Sequence, residues 1–356
     1  MTAPRSSGYF RIRYEDDFAL IDTRTQKVWL GVLAFALAGF PFLANSVLLD
    51  LANQVLLVSI GAVALMLLTG FAGQISLGHA GLLAVGAFTT GVLFRELAAP
   101  FWITLPASAV AGALVGLVFG LPSLRLRGLY LAVSTLALHF MVLHVGQEYE
   151  TRRGLSSGVV IEPPSLFGYA LQDGRAWYVV LLAASTATVL LSLNLLRTKT
   201  GRAWRAIHGR EAVAEALGIH VPVAKLSAFI VSCTLTSAAG CLAAYYRGFV
   251  SAEAFPLFVT IQYVATVIIG GIGSLLGALL GTLFVVLFPY AIEASMNALG
   301  LTNRLSSMIF AINQAAFGVA MILFLVFEPQ GLVGIWRRIQ AWVLLWPFGQ
   351  KPLGRP

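Results

Sequence analysis

Residues 50–94 read DLANQVLLVSIGAVALMLLTGFAGQISLGHAGLLAVGAFTTGVLF. Two apolar runs, 50–69 and 76–94, flank a short glycine-rich connection. A helix needs about 20 apolar residues to cross the hydrocarbon core of a bilayer, and each run is long enough. The pattern repeats outward in both directions. Spans are expected near 28–46, 50–69, 76–94, 102–121, 129–147, 176–196, 226–246, 257–271, 275–292 and 305–327. The eighth and ninth form one apolar stretch interrupted by Gly270, Gly271 and Gly273. They read equally as two crossings or as a re-entrant pair.

Composition agrees with this reading. The chain has 356 residues, 58% hydrophobic and only 11% charged, with a mean hydropathy of +0.86. Soluble domains carry about 25% charged residues, so lipid must be the solvent for most of this surface. The expected fold is an all-α integral membrane protein: a polytopic bundle of about 8–10 transmembrane helices with broken or re-entrant Gly-rich segments.

Orientation follows from Lys and Arg, which favour the cytoplasmic side. With the N-terminus inside and the spans alternating, the inside segments hold 17 of the 23 basic residues. Acids divide almost evenly, so the asymmetry lies in the cations, as the rule requires. Treating 257–292 as a non-crossing hairpin leaves both ends inside, so the rule does not choose between the two readings. Residues 1–27 mix Arg and Lys with Glu15, Asp16, Asp17 and Asp22, unlike a secretory signal. They are expected as a cytosolic arm, with the first span as an uncleaved anchor. The transmembrane region is then 28–327, with a cytosolic loop at 197–225, and 328–356 a cytosolic tail. The net charge of +8 places basic loops against anionic headgroups. No nucleic-acid partner is expected, for want of a soluble basic face with interleaved aromatics.

The inside loop reads RTKTGRAWRAIHGREAVAEALGIHVPVAK, Arg197 to Lys225. Short helices are expected over 202–208 and 210–217, with Gly218 just past the end of the second and Pro222 beyond it. Ala212, Val213, Ala216 and Leu217 share one side, and Glu211 and Glu215 lie on a neighbouring face. Such a helix suits docking into a groove on a partner. It suits equally an amphipathic loop resting on the membrane surface.

The connection quoted first is the other unusual element. In GFAGQISLGHAGLLAVGAF, residues 70–88, Gly70, Gly73, Gly78, Gly81 and Gly86 recur inside apolar sequence. Glycines allow backbones to approach closely, or a helix to break beside a cavity. Gln74, Ser76 and His79 are the polar groups at that break. Gln74 and Ser76 read first as structural ties of a broken helix. His79 reads first as a packed or capping histidine, and second as a solute contact. Ser134, Thr135, Thr266, Asn313 and Gln314 fit either a polar path or hydrogen bonds between helices.

These motifs resemble the LivM-type permease subunits of branched-chain amino-acid ABC importers. The glycine-rich stretch carries the resemblance furthest. SLRLRGLYLAVSTLAL (123–138), TGRAWRAIHGREAVAEALGI (200–219), IGGIGSLLGALLG (269–281) and EPQGLVGI (328–335) follow in the same order. EAVAEALGI is similar to the EAA loop of ABC importer permeases, although the usual Glu-Ala-Ala opening is Glu211-Ala212-Val213 here. The resemblance implies an ATPase-coupling role for Glu211, Ala212, Glu215, Ala216, Leu217 and Gly218. It implies a translocation pathway or helix break at Gly73, Gln74, Ser76, Gly78, His79, Gly81, Gly270, Gly271 and Gly273. The partners it implies are a homologous second permease subunit, two cytosolic ABC ATPase subunits and a periplasmic solute-binding protein, in a bacterial inner membrane. Relatives in the family carry branched-chain and other amino acids, urea, short amides or aromatic carboxylates.

The residues themselves fit that division of labour. No GxxxxGK[ST] phosphate loop occurs, so ATP and Mg are expected in partner subunits and no cofactor in this chain. Asp50 and Glu293 lie at span ends, and no carboxylate or lysine stands out deep in a span, as an ion-coupled secondary carrier would need. No paired carboxylates or nucleophile–base arrangement suggests an enzyme. No metal site is expected: His139 and His144 lie five apart and point about 140° from each other, and Cys233 and Cys241 read as small buried hydrophobes.

Overall fold

The computed structural model describes residues 24–123, 128–155, 158–166, 169–298, 309–328 and 330–345. Most of the expected N-terminal arm, the basic loop holding Arg125 and Arg127, Arg304 and the end of the tail lie outside the described residues.

The apolar runs become helices. They are α1 (Arg24–Leu43), α2 (Ser46–Leu65), α3 (His79–Leu97), α4 (Phe101–Ser123), α5 (Leu129–Arg152), α6 (Gly174–Arg197) and α9 (Val221–Arg247). After these come α10 (Leu257–Gly270), α11 (Leu275–Ala298), α12 (Ile309–Phe327) and α13 (Gly331–Leu345). Between α6 and α9 lie the two short helices of the polar loop, α7 (Lys199–Gly209) and α8 (Glu211–Ala216). Eight helices among the described residues are long and apolar enough to cross a membrane. Ala252–Gly270 and Leu275–Ala298 are two of them, so the stretch 257–292 has the lengths of two crossings. The apolar part of α1, Lys27–Leu43, is shorter. The run expected near 305–327 continues past a 53° bend into α13, so the expected tail begins as a helix. Its first residue, Gly331, packs against Ile269 and Gly271 at the end of α10.

Helix α9 is the hub, packed along α4, α3 and α2. Lipid offers no hydrophobic drive for helices to associate, so close backbone contact and interhelical hydrogen bonds must supply it. Gly112, Gly116 and Gly120 line one face of α4 against α9; a Cβ on Gly116 would stand 3.0 Å from Cys233 Sγ. The contact between α3 and α9 is reciprocal. Gly86 meets the Ser237 carbonyl and Gly240 meets the Leu83 carbonyl. Ser237 Oγ donates to the Leu82 carbonyl at 3.0 Å, and Ser232 Oγ to the Ala64 carbonyl at 2.9 Å. Outward from this core, α4, α5, α6 and α12 expose Val, Leu, Ile and Phe side chains, which suits a hydrocarbon solvent.

Opposite the α7–α8 end, the polar stretch 148–175 between two apolar runs is built from helix and short strands. Glu148, Glu150 and Arg152 belong to the last turns of α5, where Arg152 pairs with Glu148 at 2.7 Å one turn away. Val159–Val160 then pairs antiparallel with Phe249–Val250 just after α9, and Ser165–Leu166 with Tyr169–Ala170. Glu150 Oε1 accepts the Ala252 backbone N–H at 3.1 Å. These clasps join α5 to α9 and are too short to carry a periodic signal.

Replacing Gly240 by Val should cost about 3 kcal/mol through overpacking. A lower thermal midpoint and lower yield of folded protein in detergent would show it. Gly31→Ala, where nothing lies within 4 Å of the added carbon, should leave both unchanged.

Candidate functional site

The break at the end of α2 begins as a wider helix. Met66–Phe71 forms a π-helical turn, a feature common at functional sites. Ala72 N closes the last π-type bond, to the Leu67 carbonyl at 3.2 Å, and the chain then runs outside regular helix from Gly73 to Gly78 before α3 starts at His79. Depth follows from neighbours. The His79 ring lies on Tyr263, with centroids 4.6 Å apart. Tyr263 in turn lies against Gly61, where an added Cβ would be 2.8 Å from its Cε1. Gly61 is ten residues before Phe71, or roughly 15 Å along the helix. The non-helical segment therefore climbs back into the bundle, and α3 begins part-way along α2.

Backbone amides at such depth need partners. Thr135 Oγ1 on α5 accepts from Leu77 N at 2.9 Å, and Thr260 Oγ1 on α10 accepts from Ala80 N at 3.0 Å. Ser76 Oγ accepts from Gly78 N at 3.4 Å, and Thr69 Oγ1 donates to the Gln74 carbonyl at 3.1 Å. Gly78 sits on the Thr135 carbonyl, and Gly81 on the backbone of His139. His79 and His139 are both fully buried with no hydrogen bond from either ring. The His79 ring packs on Tyr263, which lies against Gly61 of α2.

Three contacts tie this segment to the α7–α8 end. Gly73, at φ +70°, fits under His208 of α7; a Cβ there would lie 3.0 Å from its Nδ1. The Arg205 guanidinium stands 5.5 Å from the Phe71 ring centroid. Gln74 Nε2 donates to the Lys225 carbonyl at 3.0 Å, and Lys225 Nζ pairs with Glu211 Oε1 of α8 at 2.6 Å. The second glycine cluster meets the same place. Gly70 and Gly273 touch, with an added Cβ on Gly70 only 2.8 Å from Gly273 N. Gly271 and Gly273 both have positive φ in the α10–α11 turn, and Gly270 lies against the Gly277 carbonyl.

Helix α8 ends in a Schellman motif. Ile219 N donates to the Ala214 carbonyl at 3.0 Å and Gly218 N to the Glu215 carbonyl at 2.9 Å, with Gly218 at φ +84°. Ala214 is its buried contact, while Ala212, Val213, Glu215, Ala216, Leu217 and Gly218 are exposed. Trp204 anchors the neighbouring α7, fully buried with its Nε1 donating to Ser227 Oγ at 3.0 Å.

The sequence model of the family described as branched-chain amino acid transport system, permease component, matches residues 47–327. The chain belongs to this family. It is 29% identical over 339 residues to the high-affinity branched-chain amino acid transport system permease protein LivM of Escherichia coli (strain K12), covering 88% of this chain and 76% of that protein. A probable branched-chain amino acid transport permease protein LivM of Methanocaldococcus jannaschii is 26% identical over 230 residues, 64% of this chain and 66% of that one. A probable LivH permease from the same organism is 26% identical over 268 residues, 72% and 82%. No solved structure matches.

In this family member the residues named from sequence as pathway or helix break fall in two groups. Gly73, Gln74, Gly270, Gly271 and Gly273 lie at the α7–α8 end, while Gly78, His79 and Gly81 pack deeper against α5 and α10. A separate cavity of about 560 Å³ lies between α2, α9, α10 and α11, lined by Gln54, Arg247, Gln262, Tyr263, Tyr290 and Glu293 among others. Of the residues first weighed as path-lining, Thr266 reaches it, while Thr135 serves as a backbone tie. Sequence reasoning passed over Glu293 as a span-end charge and Arg247 as one of the six outside cations. The available signal was that Arg247 is one of the few cations left on the outer side.

Thr135→Val should remove the acceptor for Leu77 N and destabilise the segment by about 1–2 kcal/mol. Thr135→Ser should restore it. Thermal denaturation of the two variants in detergent checks this.

Proposed function

We propose that this chain is the transmembrane permease subunit of an ATP-driven ABC importer for branched-chain amino acids, working as a multi-pass protein of a bacterial plasma membrane with both termini cytosolic. It would act with a homologous second permease, two cytosolic ATPase subunits that bind ATP and Mg, and a periplasmic protein that delivers the solute. The names of the relatives support the solute class.

The observation that carries the mechanism is the chain of contacts from Glu211 through Lys225 to Gln74. A six-residue helix with exposed Ala212, Val213, Ala216 and Leu217 is a docking surface for a soluble motor. Displacing it pulls on Lys225 at the start of α9, and the Lys225 carbonyl holds the side chain of Gln74. His208 and Arg205 of α7 bear on Gly73 and Phe71 of the same segment. A push on the polar loop thus reaches the one stretch of backbone in α2–α3 that is not locked by helical hydrogen bonds. Switching that stretch between two arrangements would open the path alternately to each side.

Glu211→Gln and Gly218→Val should lower solute uptake by about tenfold, equivalent to roughly 1.4 kcal/mol of coupling, while the complex still assembles and hydrolyses ATP. Uptake and ATPase rates in proteoliposomes holding the complete importer measure this. Normal uptake by both variants would remove α8 as the coupling element. Uptake by the purified chain without ATP would point to a secondary carrier instead.

A further inference from the structure

The cavity between α2, α9, α10 and α11 lies towards the end opposite α7 and α8. Arg247 closes α9 there, and Gln54 lies early in α2. Its volume of about 560 Å³ is within the range of small-molecule sites, roughly 300–1,000 Å³. Its floor includes Tyr263, whose ring lies on His79 at the start of α3. The cavity therefore abuts the helix that the non-helical segment positions.

The lining has an unusual charge content for a membrane cavity. It holds one cation, Arg247, and one anion, Glu293. Neither forms an ion pair among the described residues. Nearby Asp50 is already engaged, accepting from Tyr246 Oη and from Gln54 Nε2. The remaining wall is largely aliphatic, including Leu57, Val58, Val259, Val285 and Val286. Both side chains are exposed where they border the cavity, and neither is committed to an opposite charge among the described residues. A carboxylate without an ammonium would satisfy Arg247 and leave Glu293 unmatched. A neutral amide would match neither. A zwitterion with an aliphatic side chain satisfies both charges and the wall.

We propose that this cavity is the solute site of the permease. Arg247 receives the α-carboxylate, Glu293 receives the α-ammonium, and the Leu57–Val58 and Val285–Val286 walls receive the branched side chain. The assignment deepens the importer reading and rests on it.

The test is leucine uptake into proteoliposomes containing the complete importer, at saturating solute-binding protein. Wild-type complex that fails to take up leucine would defeat the importer reading itself. With wild-type uptake established, Arg247→Gln and Glu293→Gln should each reduce it by about tenfold or more. Arg247→Lys and Glu293→Asp should keep most of it, because charge is what the solute needs. The affinity of the binding protein for each variant complex is measured in parallel and should not change. Wild-type uptake by the two Gln variants overturns the assignment. So does an equal loss in the Lys and Asp variants, or a loss that tracks weaker docking of the binding protein.

Discussion

Backbone without helical hydrogen bonds is forbidden in hydrocarbon unless something else satisfies it. Residues 73–78 are such a stretch, and several neighbouring side chains answer that demand there and at the first turn of α3. Thr135 of α5 and Thr260 of α10 supply hydroxyl acceptors, and Thr69 and Ser76 complete the set locally. Each unsatisfied amide at depth costs several kcal/mol, so these hydroxyls fix how α5 and α10 stand relative to α2 and α3. The depth at which α3 begins, the contact of His79 with Tyr263 and the floor of the cavity all follow from it.

The same stretch is where long-range influence concentrates. Helices held by regular hydrogen bonds and by glycine contacts such as Gly86 on Ser237 move as rigid bodies, because little slack exists in packed interiors. The non-helical segment is held instead by a few side-chain hydroxyls. It touches α7 through Gly73, the base of α9 through Gln74 and the α10–α11 turn through Gly70. Under the proposed function, one local switch there would be felt at the motor end and at the cavity together.

Charge is distributed in keeping with this. Among the described residues the basic loop 197–225 forms the α7–α8 end, where Lys225 and Glu211 pair. At the other end Arg247 and Glu293 line a cavity, with no ion pair to either among the described residues. A salt bridge within the chain is spent on holding elements together, whereas unpaired charges on a cavity wall are available to a solute.

The sequence by itself determined the solvent, the approximate bounds of most apolar helices, the two short helices of the polar loop and the αL position of Gly218. All of these rest on local properties: apolar run length, helical period and terminal glycine. The glycine clusters at 70–81 and 270–273 were also visible as unusual, but not that they touch, since that contact joins residues some two hundred positions apart. Only tertiary structure decided that Gln74 reaches Lys225, that the segment climbs back into the bundle, and that Arg247 and Glu293 share a cavity. Two charges at the ends of separate spans look like ordinary membrane-edge residues until packing brings α9 and α11 to the same wall. Proximity between distant segments is a property of packing, and no periodicity within either segment records it.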